Sequence, residues 1–378
     1  MIALAALAVL AWAYLLLAHG RFWQAGPMLR PAYPRHAPAV DVVVPARDEA
    51  AGIEAALRSL LAQDYAGPLR VIVVDDGSTD GTGRIARGLA GSGPAALAVL
   101  DGAVLDGAAP PAGWSGKLWA VSQGVAQTTA DLILLTDADI VHAPAHVATL
   151  VARAERDGLD LVSEMVELRA ESLAERALVP AFVFFFQLLY PFARVNDPAC
   201  RTAAAAGGTM LLRRPALERI GGIAGLRGAL IDDVALAARV KPGGPIFLGH
   251  SGLARSVRPY PGAADVWGMV ARTAYVQLRF SPLLLLGTVL GLALVWLLPP
   301  WLALFGHGAA RWMGALAWAG SALAFVPTLL RFRQSPLWAL ALPAIAAFYM
   351  GATIGSAIDH HRGRGVVWKR RAYRRADA

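Results

Sequence analysis

The chain has 378 residues, of which 56% are hydrophobic and 16% charged, with a formal net charge of +8. That length suits one large domain or two smaller ones, and the apolar excess argues against a purely soluble protein. A single cysteine, Cys200, excludes an intramolecular disulfide and fits a reducing compartment.

Residues 1–20 open with an uncharged apolar run, Met1 to Ala18. The run lacks the basic start of a secretory signal, and Arg21, Arg30 and Arg35 follow it. The positive-inside rule predicts an uncleaved anchor with its N-terminus outside and the following chain in the cytoplasm. Its length is near the lower limit for spanning. Pro31, Pro34 and Pro38 make a stiff linker.

Residues 40–281 read as the soluble domain. Val40 to Val44 reads as a buried strand, Gly52 to Ala62 as a helix, Leu69 to Val74 as a strand and Asp80 to Leu89 as a helix. Ala96 to Leu100 is a further strand inside a loop-rich stretch, Gly91 to Gly116. Lys117 to Ala126 is a helix and Asp131 to Leu135 a strand. Alternating strands and helices predict an α/β fold with a parallel sheet. Ala181 to Val195 is rich in phenylalanine and reads either as a core helix or as one that meets lipid. Asp265 to Phe280 is amphipathic and is expected on a membrane surface.

Three apolar runs follow within 282–358: Pro282 to Phe305, Trp312 to Leu330 and Leu337 to Ile358. Each has about the length of a membrane-spanning helix. Pro299-Pro300 makes the first the best candidate for a broken or re-entrant helix. Residues 359–378 form a basic tail with Arg362, Arg364, Lys369, Arg370, Arg371, Arg374 and Arg375. Beside an apolar segment such a tail is expected to face anionic lipid rather than nucleic acid. If every run spans, the tail falls outside. Either one segment does not cross, or the first run does not.

Acidic clusters recur at or just after strand ends, where an open α/β sheet has its ligand crevice. Arg47-Asp48-Glu49 follows the first strand, after the rigid Pro45-Ala46. Asp75-Asp76-Gly77-Ser78 follows the second: its paired acids suit a base edge or ribose hydroxyls, its Gly a tight turn, its Ser a helix cap. Asp137-Ala138-Asp139 follows another, and strand alternation would put Asp137 and Asp139 on one side. A divalent ion on a diphosphate needs one or two such carboxylates. Lys117, in Gly113-Trp114-Ser115-Gly116-Lys117, starts a helix where it can meet phosphate oxygens, or is simply solvated beside two packing tryptophans. Gly207-Gly208 permits close backbone approach, or is a plain turn. Asp232-Asp233 sits in the first turn of a helix, where the dipole alone would favour acids.

Together these motifs resemble family 2 glycosyltransferases with the GT-A fold, over roughly Val40 to Ser281, flanked by membrane helices. Among them the chain looks like the hopene-associated glycosyltransferases encoded with bacterial hopanoid biosynthesis. The resemblance implies that Pro45, Ala46, Arg47, Glu49 and Asp76 line the nucleotide pocket. It makes Asp137 and Asp139 the metal motif, with Asp139 the ligand of Mg²⁺ or Mn²⁺, and Asp233 the catalytic base. Asp232 stands where the family usually has Glu. The family's Gln/Arg-X-X-Arg-Trp element is matched only by Val276-Gln277-Leu278-Arg279-Phe280, so Arg279 would meet the diphosphate while the acceptor-stacking Trp is missing.

The expected reaction is inverting transfer of a sugar from a nucleotide diphosphate, by family UDP, to a membrane lipid, hopanoid-like or a polyprenyl phosphate. The place expected is the bacterial cytoplasmic membrane, with the catalytic domain in the cytoplasm and no nucleic-acid partner. A processive polysaccharide synthase would need a longer helical bundle and an intact Gln-X-X-Arg-Trp. A non-catalytic nucleotide-sugar binder would leave the acids at the strand ends idle.

Overall fold

The computed structural model describes residues 1–102, 110–363, 366–368 and 371–373. Part of the Gly91–Gly116 loop and, in the tail, Arg364, Lys369, Arg370, Arg374 and Arg375 lie outside the described residues. The chain divides into two compact units. One is built from Met1–Gly26, Ala170–Ala193 and Pro259–Val366, the other chiefly from Pro27–Arg169 and Arg194–Arg258.

The second unit carries an eight-stranded sheet. Its strands are β1 (Val40–Ala46), β2 (Leu69–Asp75), β3 (Ala96–Asp101), β4 (Leu132–Thr136), β5 (Ile140–His142), β6 (Leu161–Glu167), β7 (Thr209–Arg213) and β8 (Ile246–Ser256). Their order is β3-β2-β1-β4-β7-β6-β8-β5. β1 pairs in parallel with both β2 and β4, so the order reverses there and a crevice opens beyond the carboxyl ends of these strands. β7 is antiparallel to β4 and to β6, and β5 is antiparallel to β8. The sheet is therefore mixed, where alternation alone predicts a parallel one. β7 enters from a turn and leaves into the helix Arg214–Arg219, without the crossover that a parallel neighbour of β4 requires.

β1 is buried along its whole length and β2 over its last five residues, which is why residues 42–44 and 71–74 read as apolar runs, while the buried Asp41 is held by Arg70 Nε at 2.8 Å. The helix Gly116–Ala126 lies close on them: a Cβ at Gly124 would stand 2.4 Å from Val43 Cγ1 and 3.0 Å from Val74 Cγ2. That close approach sets where the start of the helix, with Lys117, meets the sheet edge.

The other unit is helical. Pro282–Phe305, Gly308–Arg331 and Pro336–His361 are long and apolar enough to cross a membrane, by length and composition. Ile2–Leu17 is apolar but shorter. Pro282–Phe305 is one continuous helical stretch rather than a broken one. A π-turn at Ala293–Leu297 lies just before Pro299-Pro300, and Val295 O, which an N–H at position 299 would have reached, accepts from Trp12 Nε1 at 2.9 Å.

The phenylalanine-rich segment is the helix Leu173–Leu189, and it supplies core to this unit. Phe184 is fully buried against Phe22, Trp296 and Phe325. The amphipathic segment is the helix Ala263–Gln277, which packs on Leu342–His361. Tyr275 N donates to Ser356 Oγ at 3.1 Å, and Trp267 lies over Gly355, where a Cβ would meet its ring at 2.8 Å. The next residues, Arg279 and Phe280, have φ of 52° and 56° and turn the chain into Pro282–Phe305.

Candidate active site

The ends of β1 and β2 are laced together. Asp76 N donates to Ala46 O at 2.8 Å, closing the two strand ends. Arg47 Nη1 reaches back to the Asp76 carbonyl and, at 3.3 Å, to its carboxylate. Asp48, at φ 48°, accepts from Thr79 N at 2.9 Å, and Ser78 Oγ accepts from Asp48 N at 3.0 Å. Glu49 N donates to Thr82 Oγ1 at 2.8 Å. Asp75 is spent on structure: its Oδ1 accepts from Ser78 N at 3.0 Å, and its Oδ2 fills the space where a Cβ on Gly83 would sit. Of the paired aspartates, Asp76 is the one held by a cation among the described residues.

A second cluster forms where β4 ends. Ser115 caps the helix Gly116–Ala126, accepting from Leu118 N at 3.1 Å, and Lys117 stands in the first turn. Lys117 Nζ lies 2.7 Å from Asp137 Oδ1 and 3.9 Å from Asp232 Oδ2. Desolvation pulls this lysine down, but Asp137, Asp232 and Asp233 outweigh it and hold the ammonium well above its ordinary range. Burial pushes the Asp137 carboxyl up, Lys117 opposes this, and Asp139 and Asp232 push it up further. Trp114 and Trp119 meet edge to face at 5.2 Å on either side of Lys117 in sequence. The lysine is an ion-pair centre between two acids and not merely a solvated side chain.

Asp137 and Asp139 do not share a face by strand alternation. β4 stops at Thr136, and a turn follows in which Ile140 N donates to Asp137 O at 3.3 Å. The turn sends the two carboxylates to different cations. Asp139, 8% exposed, accepts from Arg258 Nε at 2.8 Å and Ser256 Oγ at 3.2 Å. Arg258 Nη2 then reaches Glu49 Oε1 at 2.6 Å. Arg258 thus joins the β1 loop to the Asp139 turn. It sits just past the end of β8, in an Arg-Ser-Val-Arg-Pro run that matches no motif, and sequence reasoning passed over it.

Asp233 stands in the first turn of the helix Asp232–Val240. Its Oδ2 accepts from Gly207 N and its Oδ1 from Val234 N, both at 2.8 Å. A Cβ on Gly207 would lie 3.1 Å from Asp233 Oδ2, so the glycine admits the carboxylate against the backbone. Desolvation and the neighbouring Asp232 push Asp233 up to about 6, against the downward pull of Lys117 and the two N–H donors. A carboxylate tuned into that range is suited to proton transfer near neutral pH.

Behind these groups runs a buried polar chain that the sequence reading also missed. Glu164 Oε1 meets His146 Nε2 at 2.8 Å, His146 Nδ1 meets His142 Nδ1 at 2.9 Å, and His142 Nε2 lies 3.3 Å from Thr136 Oγ1. Thr136 Oγ1 donates to Gly208 O at 2.8 Å. The chain ties the end of β4 to the Gly207-Gly208 turn that seats Asp233. Burial and His146 hold His142 well below the usual imidazole range, so its ring is neutral. The only sequence signal was the four-residue spacing of His142, at the end of β5, and His146, at the start of the helix His146–Asp157.

Among the predicted residues, Glu49, Asp139, Asp137, Lys117, Asp232 and Asp233 are linked by direct ion pairs, by chain adjacency or by Coulombic coupling. Pro45 lines a narrow cavity of about 20 Å³ with Leu118, Leu135, Met210 and Leu236, and Lys117, Asp137, Asp232 and Gly207 stand on its polar side. It has room for little more than a water molecule. Ala46 is fully buried and contributes its carbonyl. Arg279 belongs to the helical unit.

An ion held against a diphosphate takes one or two protein carboxylates and completes its shell with phosphate and water oxygens. Asp137 and Asp139 offer that oxygen-only set. Among the described residues no group of three or more His, Cys, Asp or Glu side chains could cage an ion. The donor set fits an ion that arrives with a diphosphate, not one resident on protein ligands alone.

Residues 41–221 match the family described as Glycosyl transferase family 2. Two 4,4'-diaponeurosporenoate glycosyltransferases of Staphylococcus aureus are similar to part of the chain. The protein of strain bovine RF122 / ET3-1 is 38% identical over 99 residues, 26% of this chain, and that of strain USA300 is 37% identical over 102 residues, 27% of it. These alignments span only 23% and 24% of the relatives' own length. Among solved structures, the mannosyltransferase PcManGT from Pyrobaculum calidifontis, in complex with GDP-Man and Mn²⁺, superposes with a TM-score of 0.56 at 23% identity, covering 95% of this chain and 99% of that one. At that identity the likeness speaks for the fold. The stretch 41–221 is thus similar to glycosyl transferase family 2, and the fold that carries it is GT-A-like.

Proposed function

We propose that this protein is a membrane-bound, inverting glycosyltransferase that moves a sugar from a nucleotide diphosphate to a lipid acceptor. The observation that carries the reading is Asp233. It is a carboxylate raised to about 6, seated on two backbone N–H groups and electrostatically coupled to Lys117 beside the Asp137–Asp139 turn. The family match and the partial likeness to carotenoid-acid glycosyltransferases support the reaction class and an apolar acceptor. The apolar helices support a bilayer setting.

In this reading Asp233 removes the proton from the acceptor hydroxyl as its oxygen forms a bond to the anomeric carbon. The bond from that carbon to the diphosphate breaks on the opposite face, and the diphosphate keeps the electron pair. Arg47 and Asp76, at the ends of β1 and β2, hold the nucleoside. Lys117 positions Asp137 and Asp232 and keeps positive charge beside the departing phosphate. Asp139 would hold a Mg²⁺ or Mn²⁺ ion, which would supply Lewis-acid neutralisation of the leaving diphosphate, with Asp137 beside it on Lys117. Arg279 is assigned to the diphosphate on its sequence match alone. UDP is the expected nucleotide, the acceptor a polyisoprenoid such as a hopanoid or a polyprenyl phosphate, and the place the bacterial cytoplasmic membrane with the catalytic domain inside.

Purified protein is incubated with UDP- and GDP-sugars, Mg²⁺ or Mn²⁺ and total lipid extract, and the lipids are read by mass spectrometry. A lipid heavier by one sugar, dependent on the nucleotide sugar, is expected. Neither transfer nor hydrolysis of any nucleotide sugar, with no binding of UDP or GDP, would end the proposal.

A further inference from the structure

Glu49 and Asp139 come from segments 90 residues apart, yet one guanidinium holds both, at 2.6 and 2.8 Å. The sheet builds this arrangement. β5 and β8 pair with Ile140 opposite Ser256, which brings the end of β8 against Asp139. Val257 N donates to Asp139 O at 2.9 Å, and Arg258 N donates to Ser256 Oγ at 3.2 Å. Backbone and side chain together fix where the guanidinium lies. Arginine does not lose its charge at any physiological pH, so the site holds a permanent cation on the carboxylate that the metal motif offers.

We infer that Arg258 is the donor site's built-in counter-ion. It occupies Asp139 and Glu49 while no donor is bound, suppresses metal binding by the protein alone, and so makes uptake of the ion depend on the diphosphate. The inference deepens the nucleotide-sugar reading above and rests on it. Two cations that share a carboxylate repel each other strongly at short range in a half-buried setting. A nucleotide diphosphate brings at least two negative charges, which can satisfy the guanidinium and the ion together. Metal and nucleotide should then bind with positive coupling, and Arg258 is its source. A residue that only braced the β1 loop against the Asp139 turn would not create such coupling.

The test is a Mn²⁺ titration of the full-length protein by electron paramagnetic resonance, without nucleotide and with UDP or GDP. Wild type should bind Mn²⁺ weakly alone and much more tightly with nucleotide. R258Q should bind Mn²⁺ alone about tenfold more tightly or better, as expected from removing a unit charge beside the ligand, and should lose most of the enhancement by nucleotide. E49Q leaves the Asp139–Arg258 pair in place, so its affinity for Mn²⁺ alone should stay near wild type. Where R258Q does not fold, R258M decides. It also removes the charge while keeping much of the apolar stem, so a tightening of about tenfold supports the inference and none overturns it. If wild type takes up Mn²⁺ with nucleotide but R258Q binds Mn²⁺ alone no better, the inference fails while the donor reading stands. If neither protein takes up Mn²⁺ under any condition, the metal-assisted donor reading fails and the inference goes with it.

Discussion

Asp137-Ala138-Asp139 and Asp232-Asp233 are both acid pairs, and Lys117 binds one member of each. Their other members meet opposite fates. Asp139 is given to a guanidinium and a serine hydroxyl, so its charge is balanced by a full cation. Asp233 is given to two neutral backbone N–H groups, which orient it without a formal countercharge, and it is pushed up to about 6. A carboxylate on a fixed cation makes a poor base, whereas one held by dipoles in a desolvated place can both lose and accept a proton near neutral pH. In the proposed reading, identical side chains are thus sorted into a charge-holding role and a proton-handling role by what faces them.

The sharpest way to break that contrast is Asp233→Asn. The amide keeps the shape and can still meet the backbone through its oxygen, but it cannot take a proton. Turnover should fall about 10²–10⁴-fold, the usual contribution of a positioned base, with nucleotide affinity near wild type by fluorescence titration. Equal loss of nucleotide affinity would move Asp233 out of the base role. Asp139→Asn should show the opposite pattern, weakening nucleotide binding in the presence of Mn²⁺ before it touches proton transfer.

A smaller change tests what tunes the base. Lys117 lowers Asp233, so Lys117→Met should raise it further above about 6. The base acts in its deprotonated form. Wild-type kcat should therefore rise with pH through about 6 and level off above it, and in the variant that limb should move to higher pH. Each unit of upward shift costs about tenfold in ionised base below the limb. A pH profile that keeps its position in Lys117→Met would show that the lysine serves only the phosphate.

Much of the sheet edge that carries the acidic clusters was open to reading in advance, because it is local. Residues 42–44 in β1, 71–74 in β2 and 132–135 in β4 are short apolar runs, as burial on both faces favours, and each gives way within a few residues to Pro or Asp. The acids sit where those runs stop. What escaped was non-local or hidden by an over-extended rule. Alternation was carried past Thr136 into residues that belong to a turn, which sends Asp137 and Asp139 to different partners. Arg258 becomes meaningful only through the β5–β8 register, which pairs residues more than a hundred positions apart. The Glu164–His146–His142 chain likewise depends on how β6 and the helix His146–Asp157 fold back on β4. Antiparallel β7 and its neighbours gave no βαβ period to find. In the helical unit, Pro299-Pro300 reads as a break, but the helix runs on through a π-turn, and the distant Trp12 donates to Val295 O.

The smallest effect worth measuring is at Ser115. Its Oγ accepts from Leu118 N at 3.1 Å and fixes the first turn of the helix on which Lys117 stands. Ser115→Ala removes a cap worth about 1 kcal/mol, and a melt should show a drop of a few degrees at most for a domain this large. The capped turn also aims the ammonium at Asp137, so a frayed turn should lower turnover a few-fold and move the acid limb slightly upward, in the same direction as Lys117→Met but by less. Ser115→Asp restores the cap and adds a carboxylate near the same ammonium. It should recover the melting temperature, yet it should not recover turnover, because a further acid competes for Lys117. Recovery of both would mean that the first turn needs only to be helical and that the direction of Lys117 does not matter to the reaction.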